Sequence, residues 1–239
     1  FGIVVQDSVL ESWLHETETV IFEGAQGVLL DADAGFHPFT TWSRCTSENA
    51  LDLITQMAPK SLVYKIGVMR SYAVRHGPGP LPTETNEFTS IVSEHNKNNE
   101  WQGAIRYGWF DAVLARYALG ITGGVDSLVV THLDVLSRLN TWKYCLGYEG
   151  EHALGDLLVD SNVSDGVLTS FRLSSSLTLA QRVQFTQALS AVTSVFETCN
   201  AEDGKVIQKI EALIGQQVAI VSHGPCAENV QLTTTTLPS

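Results

Sequence analysis

Positive charge is scarce in this chain. Lys and Arg number 14 against 26 Asp and Glu, for a net charge of −12 over 239 residues. That balance excludes wrapping a nucleic-acid backbone, which requires many cationic contacts. It leaves a small phosphorylated ligand open, because a few local cations suffice, and the general acidity serves solubility. Cysteine is sparse as well. Cys45, Cys145, Cys199 and Cys226 show no C-x-x-C spacing, so neither a disulfide framework nor a grouped metal site is expected. A reduced, cytoplasmic setting is the default for such a chain. No run of 18 apolar residues occurs, so no membrane-spanning helix is expected. No signal peptide is read at the start. The first residue is Phe1 rather than Met, which fits an excised piece of a longer chain. A G-x-x-x-x-G-K-[ST] phosphate loop is also missing.

What is present is enough apolar residue, 44%, to fill a core of one large domain or a domain plus a small lobe. The most informative stretch is residues 20 to 41, VIFEGAQGVLLDADAGFHPFTT. Val20, Ile21 and Phe22 read as a buried strand that stops at a flexible turn, Gly24 to Gly27. Glycines let a backbone approach a ligand closely. Gln26 stands between them with both an amide donor and a carbonyl acceptor. The long loop that follows is of a kind that usually carries function.

Helices are expected over 7–17, 49–57, 110–119, 177–198 and 205–214, the last ended by Gly215. Strands are expected over 61–74, broken at Gly67, and over 125–131, 141–149 and 218–221. Residues 76–84, HGPGPLPTE, hold three prolines and fit neither helix nor central strand. Residues 94–102 read as a polar surface loop, 149–176 give little, and the tail from Thr233 is expected to fray. Strands alternating with helices predict an α/β fold with a mostly parallel central sheet flanked by helices. Four loop motifs, GAQG, HGPGP, THLD and SHGP, follow expected strand ends. Loops at the carboxyl ends of parallel strands converge on one crevice, so one composite site is expected.

Taken in order, FEGAQGVLLD, HPFTT, RHGPGPLPTE, GWFDAVLARYA, THLDVL and a late SHGP resemble adenylosuccinate synthetase. The resemblance is good over residues 8–148 and looser over 205–230. It implies a P-loop-NTPase-like architecture that lacks the P-loop segment, with residues 1–150 as nucleotide- and substrate-binding α/β core and 151–239 as an extension of the same domain. The family joins aspartate to IMP with GTP and Mg2+: GTP phosphorylates the purine 6-oxygen, and the aspartate amine displaces phosphate. Its phosphate loop, catalytic aspartate and catalytic histidine lie in an earlier segment with no counterpart here. The chain alone is therefore expected to be inactive. The Mg2+ ligands are expected outside it, and a homodimer is implied.

By the resemblance, Gln26 is the catalytic group, contacting the phosphorylated intermediate; otherwise it is a turn amide. Gly24, Leu30 and Thr41 belong to the purine nucleotide site, although Thr41 equally suits a helix cap. Arg75, His76 and Gly77 match the ribose and nucleotide loop. Arg75 binds phosphate or pairs with Glu84, and His76, where the family has valine, reads on its own as structural. The family's arginine-dense loop for aspartate shrinks here to Gly103 and Arg106 around Ala104 and Ile105, which weakens the expectation of aspartate. Arg106 is the candidate amino-acid ligand, or else a surface charge. Asp134 in THLD matches the guanine-reading turn, or caps a helix. His132 replaces the family's lysine there and leaves ATP open beside GTP. Ser222 and Gly224 complete the nucleoside triphosphate site. Asp31 and Asp33 are mainly structural in the family, and no metal ligand is assigned to this chain. Rival readings are a paralogous ligase with altered purine, amine or triphosphate specificity, and a non-catalytic nucleotide-binding module. Under every reading the partners are small molecules.

Overall fold

The computed structural model describes residues 7–92, 98–99, 103–150 and 154–233. Among the described residues, helices α1 (Asp7–Glu16), α2 (Glu48–Met57), α3 (Ala112–Ile121), α4 (Leu179–Leu189) and α5 (Asp203–Ile214) are interspersed with twelve strands. Strands β1 (Ile66–Arg70), β6 (Ser127–Thr131), β11 (Val218–Ser222) and β12 (Val230–Leu232) form one sheet in the order β1-β6-β11-β12. The first three run parallel, and β12 is an antiparallel edge. This is the expected mostly parallel sheet, and the α/β class holds.

Two further sheets occur among the described residues, antiparallel except for one short parallel pair. Strands β2 (Ala73–His76), β4 (Gly103–Gly108) and β3 (Asn98–Asn99) make one, in the order β2-β4-β3. Strands β10 (Thr193–Asn200), β7 (Thr141–Glu149), β9 (Val167–Leu173) and β8 (Leu158–Ser164) make the other, with β5 (Phe110–Asp111) added beside β7. One core cluster packs β6, β11 and α5 around Trp142, Tyr144 and Leu128. The second packs α3 against α4 and β9 around Phe36, Tyr117, Phe171 and Phe185. Buried β6 and β11 read as near-continuous apolar runs, as strands covered on both faces do.

Several local expectations are corrected. Residues 20–22 form no strand and are exposed, with Ile21 at 86%. An extended apolar run becomes a strand only where a neighbour accepts its hydrogen bonds, and no described segment pairs with this one. Gly67 does not break the 61–74 stretch but lies inside β1. A Cβ there would come within 2.9 Å of the Leu128 side chain, so the glycine admits close strand packing. The break falls instead at Ser71–Tyr72, where β1 gives way to β2.

The helix expected over 177–198 ends at Leu189. Thr178 and Gln181 close a capping box at its start. Beyond Ser190, the β-branched and aromatic run Thr193–Thr198 pairs antiparallel with β7, from Thr193 opposite Glu149 to Asn200 opposite Thr141. Residues 158–173, which the sequence left unread, form the β8–β9 hairpin. Its turn has Asp165 and Gly166 at φ 53° and 78°, and Asp-Gly between strands is the recognised signal for such a turn. Most of the polar stretch 94–102, and the tail past Thr233, lie outside the described residues.

Candidate functional site

Strands β6 and β11 run side by side with Val130 opposite Val221. Thr131–Asp134 and Ser222–Gly224 therefore leave adjacent strands at the same carboxyl edge of the parallel sheet. His132 takes a left-handed conformation, φ 60°. Its Nδ1 lies 2.9 Å from Thr131 Oγ1, and its carbonyl accepts from Ser71 Oγ at 2.9 Å. The Tyr72 ring meets its imidazole edge-on at 5.6 Å. Asp134 is exposed and sits inside the short 3₁₀ helix Leu133–Arg138, for which His132 is the cap position. Asp134 therefore does not serve as that helix's cap. Ser222 is buried and donates to the Gly224 carbonyl at 2.9 Å. A Cβ on Gly224 would come within 2.6 Å of Asn229 Oδ1, so the turn packs closely on that side chain. His223 Nε2 lies 2.8 Å from Asp203 Oδ2 at the start of α5, while its Nδ1 is buried without a partner.

The second group is built on the β2–β4 pair, in which Arg75 stands opposite Arg106. Both guanidiniums grip the loop that follows β2. Arg75 Nε donates to the Pro78 carbonyl at 3.0 Å and Nη2 to the Phe39 carbonyl at 2.9 Å. Arg106 Nε donates to the Gly77 carbonyl at 3.0 Å, Nη2 to the Gly79 carbonyl at 2.6 Å, and Nη1 to Glu84 Oε2 at 2.8 Å. Burial first, then the neighbouring Arg106, pull Arg75 down to about 10, so it stays charged at neutral pH. The anticipated Arg75–Glu84 pair is thus an Arg106–Glu84 pair, and Arg75 works as a buried clamp on backbone carbonyls. Gly103 packs on the same loop, where a Cβ would lie 3.3 Å from Gly77 Cα. His76 holds a buried Nδ1 without a hydrogen-bond partner. A cavity of about 160 Å³ opens here, lined among others by Glu84, Arg106 and Ser190.

The third group is the loop from Gly24 to Cys45. The left-handed residue in the GAQG turn is Gln26 itself, φ 64°, and neither Gly24 nor Gly27 shares that conformation. A side chain at αL costs on the order of 1–2 kcal/mol and marks a constrained turn. Leu30 and Thr41 are joined by a Thr41 N–H bond to the Leu30 carbonyl at 2.7 Å, and Thr41 heads no helix. Buried Asp31 organises the whole loop. Its Oδ1 accepts from the N–H groups of Asp33 and Ala34 at 2.8 and 2.9 Å, and its Oδ2 from Cys45 N–H at 2.6 Å. Tyr117 of α3 donates to the Ala34 carbonyl at 2.6 Å, and Phe36 stacks on Tyr117.

Arg75 links the second and third groups through Phe39, and Ser71 links the second to His132. The THLD and SHGP turns leave parallel strands as expected, whereas GAQG follows no strand and HGPGP follows an antiparallel one. Among the described residues, no group of three or more His, Cys, Asp or Glu is placed to hold a metal ion. Asp31 is spent on backbone donors. Sequence reasoning gave Cys45 no part in this loop and paired Glu84 with Arg75 rather than Arg106, because neither contact leaves a signal in local sequence. It also left Asp31 without its organising role, although an Asp followed two residues on by its own backbone donors is an Asx-type turn.

The architecture defines an α/β protein in which the THLD and SHGP turns leave the carboxyl edge of a parallel sheet, where such folds bind ligands. The adenylosuccinate synthetase family model matches residues 3–231. The chain belongs to that family, a family of ligases. It is 35% identical over 228 residues to the adenylosuccinate synthetase of a Wolbachia of Drosophila simulans, covering 93% of this chain and 50% of that protein. It is 43% identical over 140 residues to the enzyme of Desulforamulus reducens, covering 56% of this chain and 32% of that protein. The fully ligated adenylosuccinate synthetase of Plasmodium falciparum shares the fold at TM-score 0.71 and 22% identity, over 95% of this chain and 53% of that one. The cyanophage S-2L succinoaminodeoxyadenylate synthetase, bound to dGMP and dATP, shares it at TM-score 0.52 and 19% identity, over 97% of this chain and 51% of that one. The chain thus spans about half the length of the relatives it matches.

Proposed function

We propose that this chain is the carboxyl-side, substrate-reading part of a ligase that joins an amino acid to the 6-position of a purine nucleotide, driven by a nucleoside triphosphate through a 6-phosphoryl intermediate. A purine carbonyl is a poor electrophile, and phosphorylation turns its oxygen into a leaving group. Fixed donors must then stabilise the charge that develops there. Gln26 supplies a carboxamide for this, held in a turn with open space around Gly24 and Gly27. Leu30, Thr41, Arg75, His76 and Gly77 frame the purine nucleotide, with Arg75 shaping the loop rather than touching phosphate. Gly103 and Arg106 serve the amino acid, with Arg106 lining the cavity beside Glu84. His132, Asp134, Ser222 and Gly224 take the triphosphate's base, the Asp134 carboxylate accepting from guanine N–H groups. GTP, Mg2+ held by residues outside this chain, a homodimer and a cytoplasmic setting complete the reading.

The observation that carries it is the meeting of the THLD and SHGP turns on adjacent parallel strands, in a chain that matches the family over residues 3–231. Ligand binding raises thermal stability by mass action. IMP and GTP are therefore expected to raise Tm, and Asp134→Asn to abolish the GTP shift while sparing that of IMP. A flat response to every purine nucleotide overturns the reading. A second reading rests on His132 in place of lysine and on Ala104 and Ile105 in place of arginines: a paralogous ligase of altered specificity. The cyanophage relative's dGMP and dATP name its ligands to try. Shifts with dGMP and dATP in place of IMP and GTP decide for it. Purine binding without turnover, in a protein complete over the family's length, decides for a nucleotide-binding module.

A further inference from the structure

We propose that Cys45 is a positioning residue for Gln26: its thiol engages the Gln26 carboxamide oxygen and so turns the amide NH2 outward, toward the purine 6-oxygen. The inference rests on the role given to Gln26 above. Cys45 Sγ donates to Gln26 Oε1 at 3.6 Å and to the Ser43 carbonyl at 3.7 Å, so its one proton is shared between two acceptors. The cysteine itself cannot drift. Its backbone N–H is pinned to Asp31 Oδ2 at 2.6 Å, and Asp31, only 2% exposed, is fixed in turn by the Asp33 and Ala34 N–H groups. Gln26 is fixed from the other end by its left-handed backbone.

A carboxamide offers one acceptor and one donor end. With the oxygen engaged, only the donor end remains for a ligand, and a donor is what the charge developing on a phosphorylated purine oxygen requires. A thiol serves this purpose only while protonated. Burial first, and the Asp31 charge second, raise the Cys45 thiol above its ordinary range and keep it a donor at neutral pH. Arg44 beside it is engaged elsewhere, with Asp33 at 3.3 Å and Glu48 at 3.2 Å.

Two measurements on separate footings test this. In the chain itself, alkylation by iodoacetamide is followed peptide by peptide, with exposed Cys226 as internal reference. Gln26→Ala is expected to speed modification of Cys45 at least about twofold, the loss of one weak hydrogen bond, and to leave Cys226 unchanged. Equal rates at Cys45 overturn the contact. In an enzyme complete over the family's length, Cys45→Ala is expected to lower kcat about three- to tenfold, the kinetic worth of one such bond. KM for the purine nucleotide should stay within about twofold, the pattern of an interaction made only in the transition state. Cys45→Ser, which keeps a donor, is expected to restore most of the loss. Alanine and serine variants with equal kcat overturn the positioning role. IMP should also shield Cys45 from alkylation. If the Gln26→Ala result holds and IMP gives no shielding, the purine assignment of the loop fails while the thiol–amide contact stands.

Discussion

Asp111 concentrates two roles and three hydrogen bonds in one carboxylate. Its Oδ1 caps α3 by accepting from the N–H groups of Val113 and Leu114 at 3.1 and 3.0 Å, and its Oδ2 accepts from the Tyr148 hydroxyl at 2.7 Å. Full burial outweighs these bonds and pushes the group up to about 6. A raised carboxyl favours the folded state while protonated, and that contribution is lost as pH climbs from the unfolded value near 3.8 through about 6. Asn keeps an acceptor for the cap and never ionises. The Tm of Asp111→Asn relative to the parent should therefore be more favourable at pH 7.5 than at pH 5. A difference that does not move with pH refutes the assignment, and Asp111→Ala, which loses the cap, should be less stable at both. Asp31 and Asp111 are both buried carboxylates, but Asp31 accepts three backbone N–H bonds from the loop it shapes, and Asp111 spends its second oxygen on a tyrosine across the core.

At the scale of elements, Arg116 of α3 fastens three others. Its Nε donates to the Leu213 carbonyl of α5 at 2.7 Å, and its Nη1 to the carbonyls of Thr169 in β9 at 2.7 Å and Leu146 in β7 at 3.5 Å. Arg116→Ala leaves half-buried carbonyls unpaired and should cost on the order of 2–3 kcal/mol in denaturant unfolding. A loss below about 0.5 kcal/mol would show that water replaces the guanidinium. Residues 177–198, divided between α4 and β10, show where helical periodicity misleads. Phe185 and Leu189 are buried at helical spacing, but Phe196 is 41% exposed and belongs to a strand. What converts the second half is the open edge of β7, a tertiary partner to which a local pattern is blind. The β8–β9 hairpin was legible in principle from Asp165-Gly166, yet the polar residues on its exposed face masked the alternation.

For the whole molecule, the notable surface is apolar. Val20, Ile21 and Phe22 are exposed, as are Leu62, Val63 and Tyr64, and Ile66 and Val68 of β1. Among the described residues β1 pairs on one side only, with β6. Exposed apolar runs beside an open strand edge invite association. The chain taken by itself should bind a dye sensitive to apolar surface and grow in apparent mass with concentration. Paired Ile21→Lys and Leu62→Lys should suppress both effects with Tm held within about 2 °C, since neither side chain is packed. A monomer that stays dye-dark at high concentration would show those runs to be covered.

Sequence alone determined the α/β class, the parallel strands β6 and β11, helices α1, α2 and α5, and the motifs that mark the family. Each of these follows from local pattern: apolar runs, helical spacing, a Gly215 cap and glycine-bounded turns. The tertiary structure decided which arginine pairs with Glu84, that Arg75 grips carbonyls, that Asp31 carries the loop holding Cys45 to Gln26, and that residues 20–22 stay unpaired. Those outcomes depend on partners far apart in the chain, and hydrogen-bond satisfaction between distant segments is settled only once the backbone has closed around them.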